Sequence, residues 1–376
     1  MTGTEPIDPF YNNTALSARA EHGIVLRTRN VTVPHLAGVG RAWQVVYTTR
    51  TGRGVPMPAS GIVLEPKTRT GNGTARPPVV VYVPTFHGLG GRCAPSQLLV
   101  AGTEPDTSSI SAALAQEWTV AVPDGIGLGI TGLQPHHFLA EEAGAHAVLD
   151  LAIALTKPAA AGRRPVPVAF WGYADGGRAA VAAAERQPGY APDLDLRAVA
   201  AGAVIRDPRA LITALNGGAW AGLAFAGMVG LMRAYSYLPV DHLLTDDGLR
   251  AVHHASQLDQ SRLMVEYLQP LSVWCERPDP WNDPVWRYVL TNEVIGTETP
   301  LVPVHLYHGL ADGLVPVESG RELFAEYTSR EVAVSWSEYD TGHLGAADLG
   351  VPDVFTTLRA GFTRRSSGRE GPLQST

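Results

Sequence analysis

An α/β architecture, a mostly parallel sheet with helices on both faces, is the fold class this sequence predicts, and three observations predict it. Short apolar runs recur at 79–83, 119–122, 166–171, 198–205, 301–307 and 332–339, too continuous for strands with one wet face. Stretches with helical spacing separate them, clearest at 138–155, 177–186 and 317–328. Hydrophobic residues make up 45% of the 376 residues and charged ones 17%, enough material to cover both faces of such a sheet.

Residues 23–26, 42–49 and 61–64 are β-like runs parted by Gly- and Pro-containing turns, and they predict an antiparallel edge within 23–66. From Pro77 onward strand and helix alternate, which implies crossover connections and parallel pairing. The alternation stops between Asp207 and Pro300, where the pattern is largely helical at 208–216, 222–237 and 247–267. That segment, 207–300, reads as a helical cap or lid spliced into a core formed by 1–206 and 301–376. The Ser-, Gly- and Arg-rich residues 364–376 read as a frayed, disordered tail.

A formal charge of −7 and the lack of a Lys/Arg cluster leave nothing to meet a phosphate backbone, so nucleic acid is excluded as a partner. The glycines at 125, 127 and 129 do not open a helix in a first βαβ unit, and a dinucleotide site is not expected. Cys93 and Cys275 are too few and too far apart for a Cys-x-x-Cys zinc site; their pattern allows one long-range disulfide or two buried thiols. The pairs His136–His137 and His253–His254 do not aim two rings at one ligand point, and His305 and His308 differ in strand parity. Neither a metal nor a cofactor is expected. Asp124 reads as an anchor that holds a loop by hydrogen bonds. The residues Met1 to Pro6 show no basic segment leading into an apolar one, and 217–231 is too short and too weakly apolar to span a bilayer. A cytoplasmic protein is the expectation, with export as the alternative if a leader has been removed.

The signal that carries chemistry begins at Val166. An apolar strand runs into Gly172-Tyr173-Ala174-Asp175-Gly176-Gly177 and then into a helical stretch. Strand, glycine-flanked sharp turn and helix make the nucleophile elbow G-x-S-x-G of α/β-hydrolases, where side chains two positions either side of the centre would collide. Gly172 and Gly176 meet that need, but the centre, where serine is expected, is Ala174. Asp312 follows in the loop 308–316 and His343 in the loop 340–344, each directly behind a strand. Nucleophile, acid, histidine is the chain order of the catalytic triad on this fold. The carboxylate would fix the imidazole tautomer, and the imidazole can exchange protons near neutral pH. An oxyanion hole needs preorganised N–H donors, one from Asp175 and a second from the turn His87-Gly88-Leu89-Gly90-Gly91. Tyr173 stands beside the first donor.

The segments 87–96, 122–129, 172–177 and 308–316 together resemble the secretory lipase family typified by lipase A of Candida antarctica and its actinobacterial relatives. The resemblance spans nearly the whole chain. It implies a nucleophile position at Ala174, an acid at Asp312, a histidine at His343, and oxyanion donors at Gly88 or Leu89 and at Asp175. It further implies a bridge between Cys93 and Cys275, a lid over an apolar tunnel, and His136 bordering the pocket.

Three functions follow as expectations. The first is a serine esterase or lipase-like hydrolase acting on an ester of a hydrophobic small molecule, its nucleophilic serine exchanged by mutation for Ala174 and hydrolysis strongly reduced in consequence. The second is a lyase in which His343 and Asp312 remove a carbon-bound proton while acetate or another carboxylate leaves an acylated metabolite, as in natural product biosynthesis of tetronate or polyketide type. The third is a binding protein that has kept the tunnel and lost the chemistry. Product mass separates the first two, because hydrolysis leaves an alcohol one water heavier than the eliminated product.

Overall fold

Nine strands among the described residues, β1 (Val25–Val31), β2 (Val39–Arg50), β3 (Pro56–Pro66), β4 (Val79–Val83), β5 (Thr119–Pro123), β6 (Val168–Tyr173), β7 (Leu196–Gly202), β8 (Val304–Gly309) and β9 (Val334–Tyr339), join in one sheet. Their order is β1-β2-β3-β5-β4-β6-β7-β8-β9. The computed structural model describes residues 8–67, 76–157 and 165–364; the segment Met1 to Pro6 and the tail expected beyond Arg364 lie outside the described residues.

β1, β2, β3 and β5 pair antiparallel in sequence along the sheet, and every pairing from β5 through β4, β6, β7 and β8 to β9 is parallel. The apolar runs explain the arrangement. Every residue of β4, β5 and β6 is buried, as parallel strands covered on both faces require, whereas β1 and β9, at the two edges, mix exposed and half-buried positions. The carboxyl ends of β6, β8 and β9 lead directly into the elbow, the Asp312 loop and the His343 loop.

Helices Glu141–Thr156 and Asp175–Tyr190 pack on each other, and Val351–Thr363 packs on β7. The helix expected from 138 begins at Glu141, because Leu139 has φ +67°, a left-handed conformation that no α-helix contains. The helix expected from 177 starts earlier, at Asp175, immediately after the turn.

Between β7 and β8 the chain forms helices Pro208–Leu215, Ala221–Ala234, Asp246–Ala255, Gln260–Glu266 and Pro284–Asn292. The stretch 247–267, expected as one helix, is two. Asp259 sits in an extended conformation and its carboxylate accepts the Arg262 N–H, so it caps a new helix instead of continuing the old one. Ala221–Ala234 is buried from Ala221 to Met232, which accounts for its all-round Gly, Ala and Leu content. No helix among the described residues is long and apolar enough to cross a membrane.

The bridge implied between Cys93 and Cys275 is absent: both are free, buried thiols. Cys93 packs with Ala94 and Leu128 in a small separate cluster, whereas Cys275 belongs to the main core and is pinned by an antiparallel bridge to Leu244. Burial pushes both thiols up to about 11.

Candidate active site

The turn at Ala174 keeps the full geometry of an elbow. Ala174 has φ +50° and ψ −116°, a region that costs an L-residue about 1–3 kcal/mol and persists only when the surroundings enforce it. Here they do. A Cβ on Gly172 would lie 2.2 Å from the Gly176 carbonyl oxygen, and one on Gly176 would lie 2.1 Å from the Val83 carbonyl oxygen at the end of β4. The Ala174 N–H donates to the Gly202 carbonyl at 2.9 Å, fastening the turn to the end of β7. The Ala174 methyl faces a cavity of about 780 Å³ whose wall also carries Tyr173, Asp175 and His343.

His343 and Asp312 meet across the ends of β8 and β9. His343 Nδ1 lies 2.7 Å from Asp312 Oδ2. The other carboxylate oxygen accepts the N–H groups of Leu314 and Val315, both at 2.9 Å, so the tight turn that presents the acid also orients it. Burial would raise this carboxyl, but hydrogen bonds from His308 and His343 outweigh it and hold Asp312 far below the usual carboxylate range. A carboxylate on Nδ1 leaves the second nitrogen, Nε2, able to accept a proton. Tyr173 supports the imidazole from β6: its hydroxyl donates to the His343 carbonyl at 2.5 Å, and the two rings sit 5.0 Å apart.

The expected oxyanion turn is placed differently. Leu89 N–H donates to the Leu258 carbonyl and Gln260 N–H to the His87 carbonyl, so the 87–91 turn is stitched to the helical insertion. Leu89 therefore has no free N–H to offer, and neither Gly88 nor Leu89 lies on the wall of the Ala174 cavity. Gly88 sits opposite Asp259 as the unbonded member of this antiparallel bridge, which turns its own N–H away from the insertion. The His87 ring is committed to Glu104, with Nε2 2.8 Å from Oε1. Burial acts to lower the His87 pKa, and the Glu104 carboxylate overrides it, so the net direction is upward. Asp175, as the first residue of its helix, has no intrahelical acceptor for its N–H. Burial lifts its carboxyl to about 6 against the pull of Arg178.

Other sequence candidates lie elsewhere. His136 Nδ1 donates to the Ile126 carbonyl, 2.7 Å away, and with His137 the ring lines a separate chamber of about 50 Å³ beneath the elbow rather than the Ala174 cavity. Burial lowers these two imidazoles to about 4 and about 3, so both are neutral. Asp124 does anchor a loop: Ser96 N–H, Ser96 Oγ and Ser60 Oγ all donate to it. His87, Glu104 and Asp106 have ligand atoms within 4.8 Å of one another, the one such group among the described residues, and could hold a cation. Each is engaged already, Asp106 by Tyr82 Oη and by Thr85 N and Oγ1.

Two residues escaped the sequence reading. Asp106 fixes Thr85 on the cavity wall, and only its place before a helix hinted at a role. Arg178, one turn beyond Ala174 and 1% exposed, donates to the carbonyls of Leu139, Ile205, Arg206 and Glu293 and pairs with the Glu293 carboxylate. The signal was a lone arginine in an otherwise Gly- and Ala-rich helix start.

Comparison with known proteins agrees with this fold. The secretory lipase family model matches residues 93–369. The Mycobacterium tuberculosis protein named "Probable inactive lipase MT1628" is 28% identical over 94% of this chain and 82% of its own length. The "Secreted triacylglycerol lipase LIP3" of Malassezia restricta is 25% identical over 94% of this chain and 78% of its own. Among solved structures, Candida antarctica lipase A in its closed state superposes with a TM-score of 0.82 at 22% identity, covering 94% of this chain and 85% of that one. The rice cell wall degrading esterase LipA of Xanthomonas oryzae gives 0.68 at 20%, covering 91% and 96%. An α/β-hydrolase sheet, an intact elbow and a His–Asp pair at its carboxyl edge are thus joined by a match across most of the sequence, and the chain belongs to the secretory lipase family.

Proposed function

We propose that this protein is an acyloxy-eliminating lyase acting on an acylated hydrophobic small molecule. The observation that carries the reading is a complete His343–Asp312 pair on a cavity of about 780 Å³, beside a methyl group where a nucleophile would stand. A covalent acyl-enzyme requires a side-chain oxygen at 174; a general base does not. His343 Nε2 takes the proton from the carbon next to the one bearing the ester oxygen. The C–H electron pair becomes the new C=C bond, the alkyl C–O bond breaks, and its pair departs with the carboxylate. The N–H of Asp175, at the positive end of its helix and on the cavity wall, is the group offered to that leaving carboxylate. Leu211, Leu215, Trp220 and Leu223 of the helical insertion give the cavity an apolar roof, which suits a hydrophobic substrate and a lid role for 207–300. The ester class is supported by relatives named as lipases, and the lapse of hydrolysis by the relative named as inactive.

The test is mass spectrometry of acylated substrates with a hydrogen on the neighbouring carbon, run in ¹⁸O-water. Loss of the whole carboxylic acid, with no label in the unsaturated product, is the expected result. A labelled acid or an alcohol one water heavier than the eliminated product overturns it.

A second reading, a serine esterase whose nucleophile is replaced at Ala174, is favoured by the strained φ of +50° that the turn retains without a hydroxyl to present. Under it, Ala174→Ser restores p-nitrophenyl ester cleavage by orders of magnitude and gives labelling by a fluorophosphonate. Under the elimination reading, the same substitution yields no such gain.

A further inference from the structure

Asp312 has a second imidazole behind it. His308, near the end of β8, is fully buried, and its Nε2 lies 2.9 Å from the Val315 carbonyl oxygen and 3.4 Å from Asp312 Oδ2. That is the same carboxylate oxygen that His343 Nδ1 reaches at 2.7 Å. A carbonyl can only accept, so the hydrogen of His308 is on Nε2. Its Nδ1 meets no hydrogen-bond partner, and Gly320 closes off the space there, with a hypothetical Cβ only 3.0 Å from that nitrogen. An imidazolium would bury an unpaired N–H at this point, which is far costlier than burying a bare lone pair.

We propose that His308 is a positioning residue for the dyad: a neutral Nε2–H donor that grips Asp312 from behind and moderates the charge this carboxylate presents to His343. The proposal rests on His343 being the base. With Leu314 N–H and Val315 N–H on one oxygen, and on the other the His343 N–H together with the His308 N–H that Asp312 shares with the nearer Val315 carbonyl, the carboxylate is held in one orientation. Other titratable groups nearby are already engaged. Glu338 on β9 pairs with Arg321, and Tyr173 on β6 donates to the His343 carbonyl.

The experiment compares wild type, His308→Phe and His308→Gln, since a glutamine amide reaches the place of Nε2 and a phenyl ring fills the space without a donor. Imidazole NMR titration of the free protein needs no substrate and so stands apart from the lyase reading. Loss of the donor leaves Asp312 more fully charged toward His343, and the His343 midpoint is expected to rise in His308→Phe and to return in His308→Gln. The acid limb of any pH–rate profile should move by the same amount. Equal His343 midpoints in all three proteins, or ¹⁵N shifts showing wild-type His308 as a cation or an Nδ1–H tautomer, overturn the proposal. Normal titration shifts without any turnover would sink the lyase reading and leave this one standing.

Discussion

The two halves of the site have fared differently. At the end of β6 the backbone machinery of an elbow is intact down to the glycines that the close approach of Val83 demands, yet the side chain it exists to present is a methyl group. At the ends of β8 and β9 both the backbone and the two polar side chains are in place, with the acid oriented by two N–H groups and the imidazole locked to it. The difference teaches that the elbow's geometry is a property of packing and not of the hydroxyl. On the proposed function, it is the histidine that carries the reaction.

The largest effect should come from the reactive half. His343→Ala is expected to lower carboxylate release by about 10²–10⁴-fold, as loss of a general base does. Release measured by liquid chromatography that is unchanged in this variant would break the comparison. The elbow half should respond in stability: Gly176→Ala drives a Cβ to 2.1 Å from Val83 O, and a loss of about 3 kcal/mol by urea unfolding is expected. A variant as stable as wild type would mean that the turn is not held as described.

Glu185 ties the halves together, because it lies on the elbow helix and accepts the Tyr327 hydroxyl, at 2.5 Å, from helix Val317–Ser329 behind the acid loop. Burial raises its carboxyl to about 7, above the 4.5 of a free glutamate, against the pull of that hydroxyl. The folded state therefore holds a proton that the unfolded chain releases, so the contribution to stability is complete below pH 4.5 and disappears as pH climbs through about 7. Glu185→Gln should flatten the pH 5 to 8 dependence of unfolding free energy by about 1–3 kcal/mol, and an unaltered slope would count against the raised value. The smallest effect belongs to Ala174→Gly, which relieves a positive φ and should stabilise by about 1 kcal/mol in thermal unfolding. Destabilisation instead would show that the methyl contributes packing worth more than the strain.

Much of this was written locally in the chain. Continuous apolar runs foretold the parallel strands, and Gly172, Gly176, Asp312 and His343 were legible because each sits at a fixed offset from a strand end. What was not legible depends on contacts between distant segments. The 87–91 turn looked like a donor loop, but its Leu89 N–H is taken by Leu258, more than a hundred residues away in sequence. The start of helix Glu141–Thr156 is set by the positive φ of Leu139, whose carbonyl Arg178 holds. The break at Asp259 could have been read, since Asp is a strong N-cap, but apolar periodicity on both sides masked it. His308 looked like a strand residue of the wrong parity for metal, and only the return of the chain at Val315 gives its ring a purpose.

Arg178 has a consequence for protein engineering. Its guanidinium grips the backbone at Ile205 and Arg206, where the helical insertion leaves the sheet, and at Glu293, where it comes back. Both roots are therefore welded to the helix that follows Ala174, and any swinging of the roof must pivot within residues 207–292. A chimera that borrows the roof of a relative should be cut inside those limits, so that the recipient keeps its own weld.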